Sequence, residues 1–166
     1  MPLADKITAK TTLKEAGEII RVEASVVAMK ATLPEMVQKV IDNPRTRTLC
    51  VVDEEEKLIG IIPSRTLDDD VFRRIVPEKF IQRHYGAKKL LKYLAGPELT
   101  AESIMRRPRF AKPNSTLAEV LRILYENDLE GIPIVDDELK IVGYVDMHEI
   151  LAVWLEAAKR TEPDGK

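Results

Sequence analysis

Thr46 and Thr48 flank the cation Arg47, and a guanidinium set between hydroxyls can pair with and hydrogen-bond a phosphate. The same residues also suit plain surface loops. Asp68, Asp69 and Asp70, with the acidic stretches 53–56 and 136–138, raise the question of a hard divalent cation. Without the spacing of a calcium-binding loop, they read as solvated turns and an acidic helix start, and no metal site is expected. His84 and His148 lie far apart with no cysteine cluster beside them and read as surface residues. Cys50, the single cysteine, sits among Leu49, Val51 and Val52 and reads as a small buried strand residue in a reducing compartment. Asp146 and Glu149 have the spacing of a helix cap. There is no Gly-x-Ser-x-Gly, no phosphate-loop Gly-Lys-Ser/Thr and no histidine–cysteine–carboxylate constellation, so an enzyme is not expected.

The elements that must position these residues occur twice. LCVVDEEEKLIGII at 49–62 lies without a gap over IPIVDDELKIVGYV at 132–145, every position displaced by 83 residues. Upstream, 26–43 aligns with 110–127 at a displacement of 84, one residue having been lost between helix and strand. Two copies make a pseudo-dimer, since stacked arrays need more units to bury a continuous core. Thr32 and Thr116 are each followed three places on by Glu35 and Glu119, the capping-box signature of a helix start. Leu33, Met36, Val37 and Val40, and Leu117, Val120, Leu121 and Leu124, have the spacing of a helix burying one stripe.

Each duplicated block holds two β-branched apolar segments around a short acidic turn, which predicts strand, turn, strand. Their near-continuous apolar positions suit strands covered by helices. A second helix is expected over Ser64–Ile75 and over 147–159, so each copy reads as strand, helix, strand, strand, helix. Between the copies, 77–100 carries helical spacing at Leu90, Leu91 and Leu94, stopped by Gly96-Pro97, with Lys79, Arg83, Lys88, Lys89 and Lys92 making it basic: a solvated face or a partner-docking surface. Glu18 and Ile20 echo Glu102 and Ile104 ahead of the second copy. The organisation expected is an N-terminal arm and first repeat over 1–76, a helical connector over 77–99, a second repeat over 100–160 and a frayed tail over 161–166.

The chain has 166 residues, 45% of them hydrophobic and 33% charged, with a net charge of −2. This suits a globular α+β protein with no overall attraction to nucleic acid or to acidic membranes. No run approaches the ~20 apolar residues of a membrane span, and 1–21 has acids and threonines where a signal peptide has its apolar stretch, so the expected location is the cytoplasm.

Hydrophobic-Pro-hydrophobic-Val-Asp followed by Gly, doubled on a β-α-β-β-α frame, resembles the CBS domain family, named after cystathionine β-synthase. The second copy carries Ser103-Ile104-Met105, Pro113, Gly131-Ile132-Pro133-Ile134-Val135-Asp136 and Gly143-Tyr144-Val145. The first is looser, with Cys50 for the proline and Arg21 for the methionine. The resemblance implies two repeats packed about a pseudo-twofold axis with clefts between them. It further implies binding of AMP, ADP, ATP or S-adenosylmethionine as a regulatory ligand rather than a required cofactor, a homodimer, and a regulated enzyme or transporter as partner. A ligand-free dimerisation module is the alternative.

By that resemblance, Thr46, Arg47 and Thr48, and Leu129, Glu130 and Gly131, occupy the adenine-reading positions. The family's hydroxyl and ribose-binding aspartate fall on Pro63 and Thr66, with Ser64 as substitute hydroxyl, and on Asp146 and Glu149. Neither copy keeps the motif. A carboxylate at ~4 Å repels a phosphate charge by roughly 4 kcal/mol at an effective dielectric near 20, so phosphates at the second copy would turn toward Arg106, Arg107, Arg109 or Lys112. Copy one looks the better pocket.

Overall fold

The computed structural model describes residues 7–17, 22–75 and 99–161. In the first repeat, β1 (Ser25–Ala28) leads into α1 (Leu33–Asp42), β2 (Thr48–Val52), β3 (Leu58–Pro63) and α2 (Ser64–Ile75). The second repeat has α3 (Ala101–Ile104), α4 (Leu117–Glu126), β4 (Gly131–Val135), β5 (Ile141–Asp146) and α5 (Met147–Thr161). The expected helical connector, His84 and the Glu18/Ile20 echo lie outside the described residues, as does nearly all of the tail.

Both capping boxes form. The Thr32 amide donates to Glu35 Oε2 at 2.7 Å and the Thr116 amide to Glu119 Oε2 at 2.8 Å, while each threonine hydroxyl accepts the glutamate amide in return. With the first free amides of the helix satisfied, the apolar stripe turns inward: Leu33 and Met36 are buried on α1, and Leu117, Val120 and Leu124 on α4. Both hairpins form with the same internal wiring. Asp53 Oδ1 accepts the amides of Glu55 and Lys57, and Asp136 Oδ1 those of Glu138 and Lys140, at 2.9–3.0 Å. These acidic turns are thus held by their own aspartates, and no group of three or more potential ligands clusters for a metal among the described residues.

β2 pairs in parallel with β1 and antiparallel with β3, giving the order β1-β2-β3; β4 pairs antiparallel with β5. Every residue of β2 and of β4 is buried. The entering strand of the second repeat shrinks to one parallel bridge, Ala111 to Ile134. Pro108 and Pro113 flank that segment, whereas 24–29 in the first repeat holds no proline, and a residue without an N–H cannot extend the ladder. That bridge still matches Val27 to Val51, the equivalent pair of the first repeat.

The pseudo-twofold relation extends to the other cross-repeat bridges: Ile61 pairs with Arg106, and Tyr144 with Val22. Residues near the axis meet their own counterparts, as Lys57 bridges Lys140, 83 positions on.

Each repeat is covered by the segment that precedes the other. Leu13 and Lys14 donate their amides to Ser115 and Pro113, and Ala101 and Glu102 donate theirs to Ala31 and Met29, at 2.8–2.9 Å. Thr12 with its Glu15 therefore stands where Thr100 with its Ser103 stands, a displacement of 88. The cores follow this exchange. Leu13 and Ala16 join the cluster of Val120, Ile132 and Val153, while Ala101 joins that of Met36, Leu49 and Ile62.

Replacing either cap, Thr32→Ala or Thr116→Ala, should cost about 1 kcal/mol. For a chain of this size, that lowers the melting midpoint by roughly 2–4 °C per substitution, measured by calorimetry or circular dichroism.

Candidate functional site

β2 and β4 enter the molecule side by side, and the residues just before them form the junction between repeats. Thr48 is 1% exposed, and its Oγ1 donates to the Gly131 carbonyl at 2.9 Å. Beside it, Arg47 Nη1 pairs with Glu130 Oε2 at 3.1 Å, both side chains facing solvent. These two contacts again join residues 83 positions apart. The two adenine-reading segments inferred from the family resemblance thus lie against each other.

Tyr144 fills the space between them. Fully buried on β5, it accepts the Arg47 amide through its hydroxyl at 3.1 Å. Burial pushes its hydroxyl well above the usual phenol range. A methyl group on Gly131 would overlap that hydroxyl, so glycine here is a matter of close approach.

Around this hub the two repeats differ. In the second, Asp146 is buried and its Oδ1 accepts the Glu149 amide at 2.9 Å, capping α5. The carboxylates of Asp146 and Glu149 favour the positive end of that helix. Glu149 Oε1 also holds Arg45 Nη2 at 2.7 Å, with 8% of the Glu149 side chain exposed against 68% of Arg45. In the first repeat Pro63 stands at the cap position and α2 has no acid in its first turn, while the first amide of each helix makes the same bond, Ser64 to the Arg47 carbonyl at 2.9 Å and Met147 to the Glu130 carbonyl at 2.8 Å. Ser64 and Thr66 are half-buried, with no side-chain hydrogen bond among the described residues.

The other sequence-derived residues divide. Thr46 is buried: its Oγ1 donates to the Asn43 carbonyl at 3.0 Å and lies 2.6 Å from Ser25 Oγ, which leaves serine as the donor of that pair. Leu129 belongs to the core. Arg106 holds Ile61 through its backbone, Arg107 is exposed, and Arg109 Nε donates to Asn127 Oδ1 at 2.7 Å. Lys112 is not brought to this group. It follows Ala111 at the turn end of the β4–β5 hairpin and pairs with Asp137 at 2.9 Å, whereas Gly131 and Asp146 lie at the opposite end. His148 is exposed. Cys50 is wholly buried, its thiol pushed up to about 12 by that burial, so at neutral pH it is an inert core residue.

Arg45, Ser25 and Tyr144 are the junction residues that motif positions do not reveal. A signal did exist for part of this: Arg47 and Glu130 are equivalent positions of opposite charge, and equivalent positions meet when they lie on the axis.

Comparison with known proteins identifies the frame that carries this junction. The CBS domain family pattern matches residues 6–71 and 101–156. A crystal structure of a CBS domain-containing protein from Thermotoga maritima is 26% identical, covers 89% of this chain and 97% of its own, and superposes with a TM-score of 0.69. A CBS domain pair solved in complex with 5-methylthioadenosine and S-adenosyl-L-methionine is 21% identical, covers 87% of this chain and 99% of its own, with a TM-score of 0.63, a likeness of fold. The inosine-5'-monophosphate dehydrogenase of Methanocaldococcus jannaschii is 25% identical over 91% of this chain, which spans only 26% of that enzyme.

Tyr144→Phe should remove the acceptor of the Arg47 amide while keeping the ring's packing. A part-buried donor left unsatisfied costs about 1–3 kcal/mol, to be read as a lower midpoint in denaturant at unchanged slope.

Proposed function

The chain belongs to the CBS domain family, and on that premise we propose that it is a regulatory pair that binds an adenosine-bearing ligand at the junction between its repeats. AMP, ADP, ATP and S-adenosylmethionine are the ligands this reading admits, and occupancy would be passed to a partner protein, an enzyme or a transporter. The observation that carries the proposal is the start of α2. Among the described residues the hydroxyls of Ser64 and Thr66 have no partner there, no acid stands in the first turn, and Arg47 is tied to Ser64 through its carbonyl. Hydroxyls at the positive end of a helix favour a phosphate. At α5 the same position is filled by Asp146 and Glu149, which repel one. The competent side is therefore that of the first repeat, and the adenosine-derived ligands bound by a pair of like fold support the same chemical class.

The test is a thermal-shift series with the four ligands at millimolar concentration. Saturation to 100 times Kd adds about 2.7 kcal/mol, so the midpoint of a binder rises by several degrees. Unchanged midpoints with all four would refute the proposal.

A second reading, a dimerisation module, is favoured by apolar side chains left in solvent. Leu151, Trp154 and Leu155 on α5 are 54%, 65% and 46% exposed, and Phe72 and Ile75 on α2 are 52% and 75% exposed. Phe72 and Leu155 are equivalent positions, 83 residues apart, so both helices offer apolar surface on matching faces, as a self-complementary twofold interface requires. On this reading light scattering gives a dimer mass without any ligand, and Trp154→Glu shifts it to the monomer; a monomeric wild-type protein at high concentration would exclude it. No described helix is long and apolar enough to cross a membrane.

A further inference from the structure

We propose that Arg45 and Arg47 are held by a carboxylate latch, Glu149 and Glu130, and that a ligand phosphate at the start of α2 binds by drawing these guanidiniums away from the two carboxylates. The inference rests on the ligand reading above and adds the residues that set its charge selectivity.

Both arginines belong to the first repeat, on the segment that leads into β2, and both carboxylates belong to the second. Neither guanidinium is free: Arg45 lies 2.7 Å from Glu149 and Arg47 lies 3.1 Å from Glu130. An arriving anion must therefore compete with an acid for either one. The two pairs differ in kind. Arg47 and Glu130 are 45% and 65% exposed, and such pairs part easily in water. Arg45 is 68% exposed over a Glu149 that is 8% exposed. Its guanidinium is a removable cover on a buried charge.

Once Arg45 turns to a phosphate, Glu149 stays behind beside the equally buried Asp146, with no other cation on either among the described residues. Two unpaired buried carboxylates in the first turn of α5 are unfavourable. Occupancy thus loosens the start of α5 from the first repeat. Without a phosphate the latch holds, so the junction discriminates against the anionic part of a ligand while leaving recognition of its nucleoside untouched.

The test is calorimetric titration of AMP and of adenosine into wild-type protein, Glu149→Gln, Glu130→Gln and the double variant Arg45→Gln/Glu149→Gln. Glutamine keeps the shape of the carboxylate and removes the competing charge. Glu149→Gln should bind AMP about tenfold more tightly, a size common for a close charge pair, and adenosine within about twofold of wild type. Glu130→Gln should tighten AMP less, and the double variant should lose the gain. Binding of AMP by Glu149→Gln where the wild-type protein binds none also supports the latch. Equal AMP affinity in wild type and Glu149→Gln overturns the latch while leaving the ligand reading intact, as does an equal gain for AMP and adenosine. Failure of every variant to bind either molecule overturns both.

Discussion

Two buried strands enter this molecule next to each other at the pseudo-twofold axis, and the buried polar groups at their mouths must find protein partners there. On such an axis each residue faces its own equivalent. Identical copies would set arginine against arginine and hydroxyl against hydroxyl. The chain resolves this by divergence: Thr48 meets Gly131, Arg47 meets Glu130, and Tyr144 stands where the first repeat has Ile61. A donor then finds an acceptor at each point. Lys57 and Lys140 show the other solution, a backbone bridge with the Lys57 ammonium drawn aside to Glu55 at 2.9 Å.

Once the axis is built from unlike residues, the two sides of the junction cannot have the same chemistry. Asp146 closes the start of α5 with its own carboxylate, and Pro63, which has no such group, leaves the start of α2 open. Both arginines of the segment before β2 reach across to acids of the second repeat. The equivalent of Arg45 is Asp128 and that of Glu149 is Thr66, so charge is concentrated on one side and hydroxyls on the other. One fold thereby presents two different surfaces to a ligand.

Much of the fold was legible because it is written locally. A threonine with a glutamate three places on, an apolar stripe at helical spacing and a β-branched pair around an acidic turn each specify an element within a dozen residues, and α1, α4 and both hairpins follow them. The entering strand of the second repeat keeps a single bridge; copy-to-copy alignment weighs apolar character and overlooks the missing N–H groups of Pro108 and Pro113. The site was legible only in part. Motif position directs attention to 46–48 and 129–131, which the fold sets against each other, but it carries no information on what else lies across from them, so Arg45 and Tyr144 were invisible. Lys112 is set apart for a geometric reason: it is close in sequence to Arg109 yet the extended segment carries it to the other end of the hairpin.

The exchange of lead-in segments has a consequence for how the molecule comes apart. Because Leu13 and Ala16 complete the core of the second repeat and Ala101 that of the first, neither half can open without uncovering the other's interior. Sequence order and spatial neighbourhood are interleaved, like clasped hands. The pair is accordingly a single cooperative unit whose internal boundary is a surface of coupling, along which a disturbance on one side is felt as a loss of cover on the other.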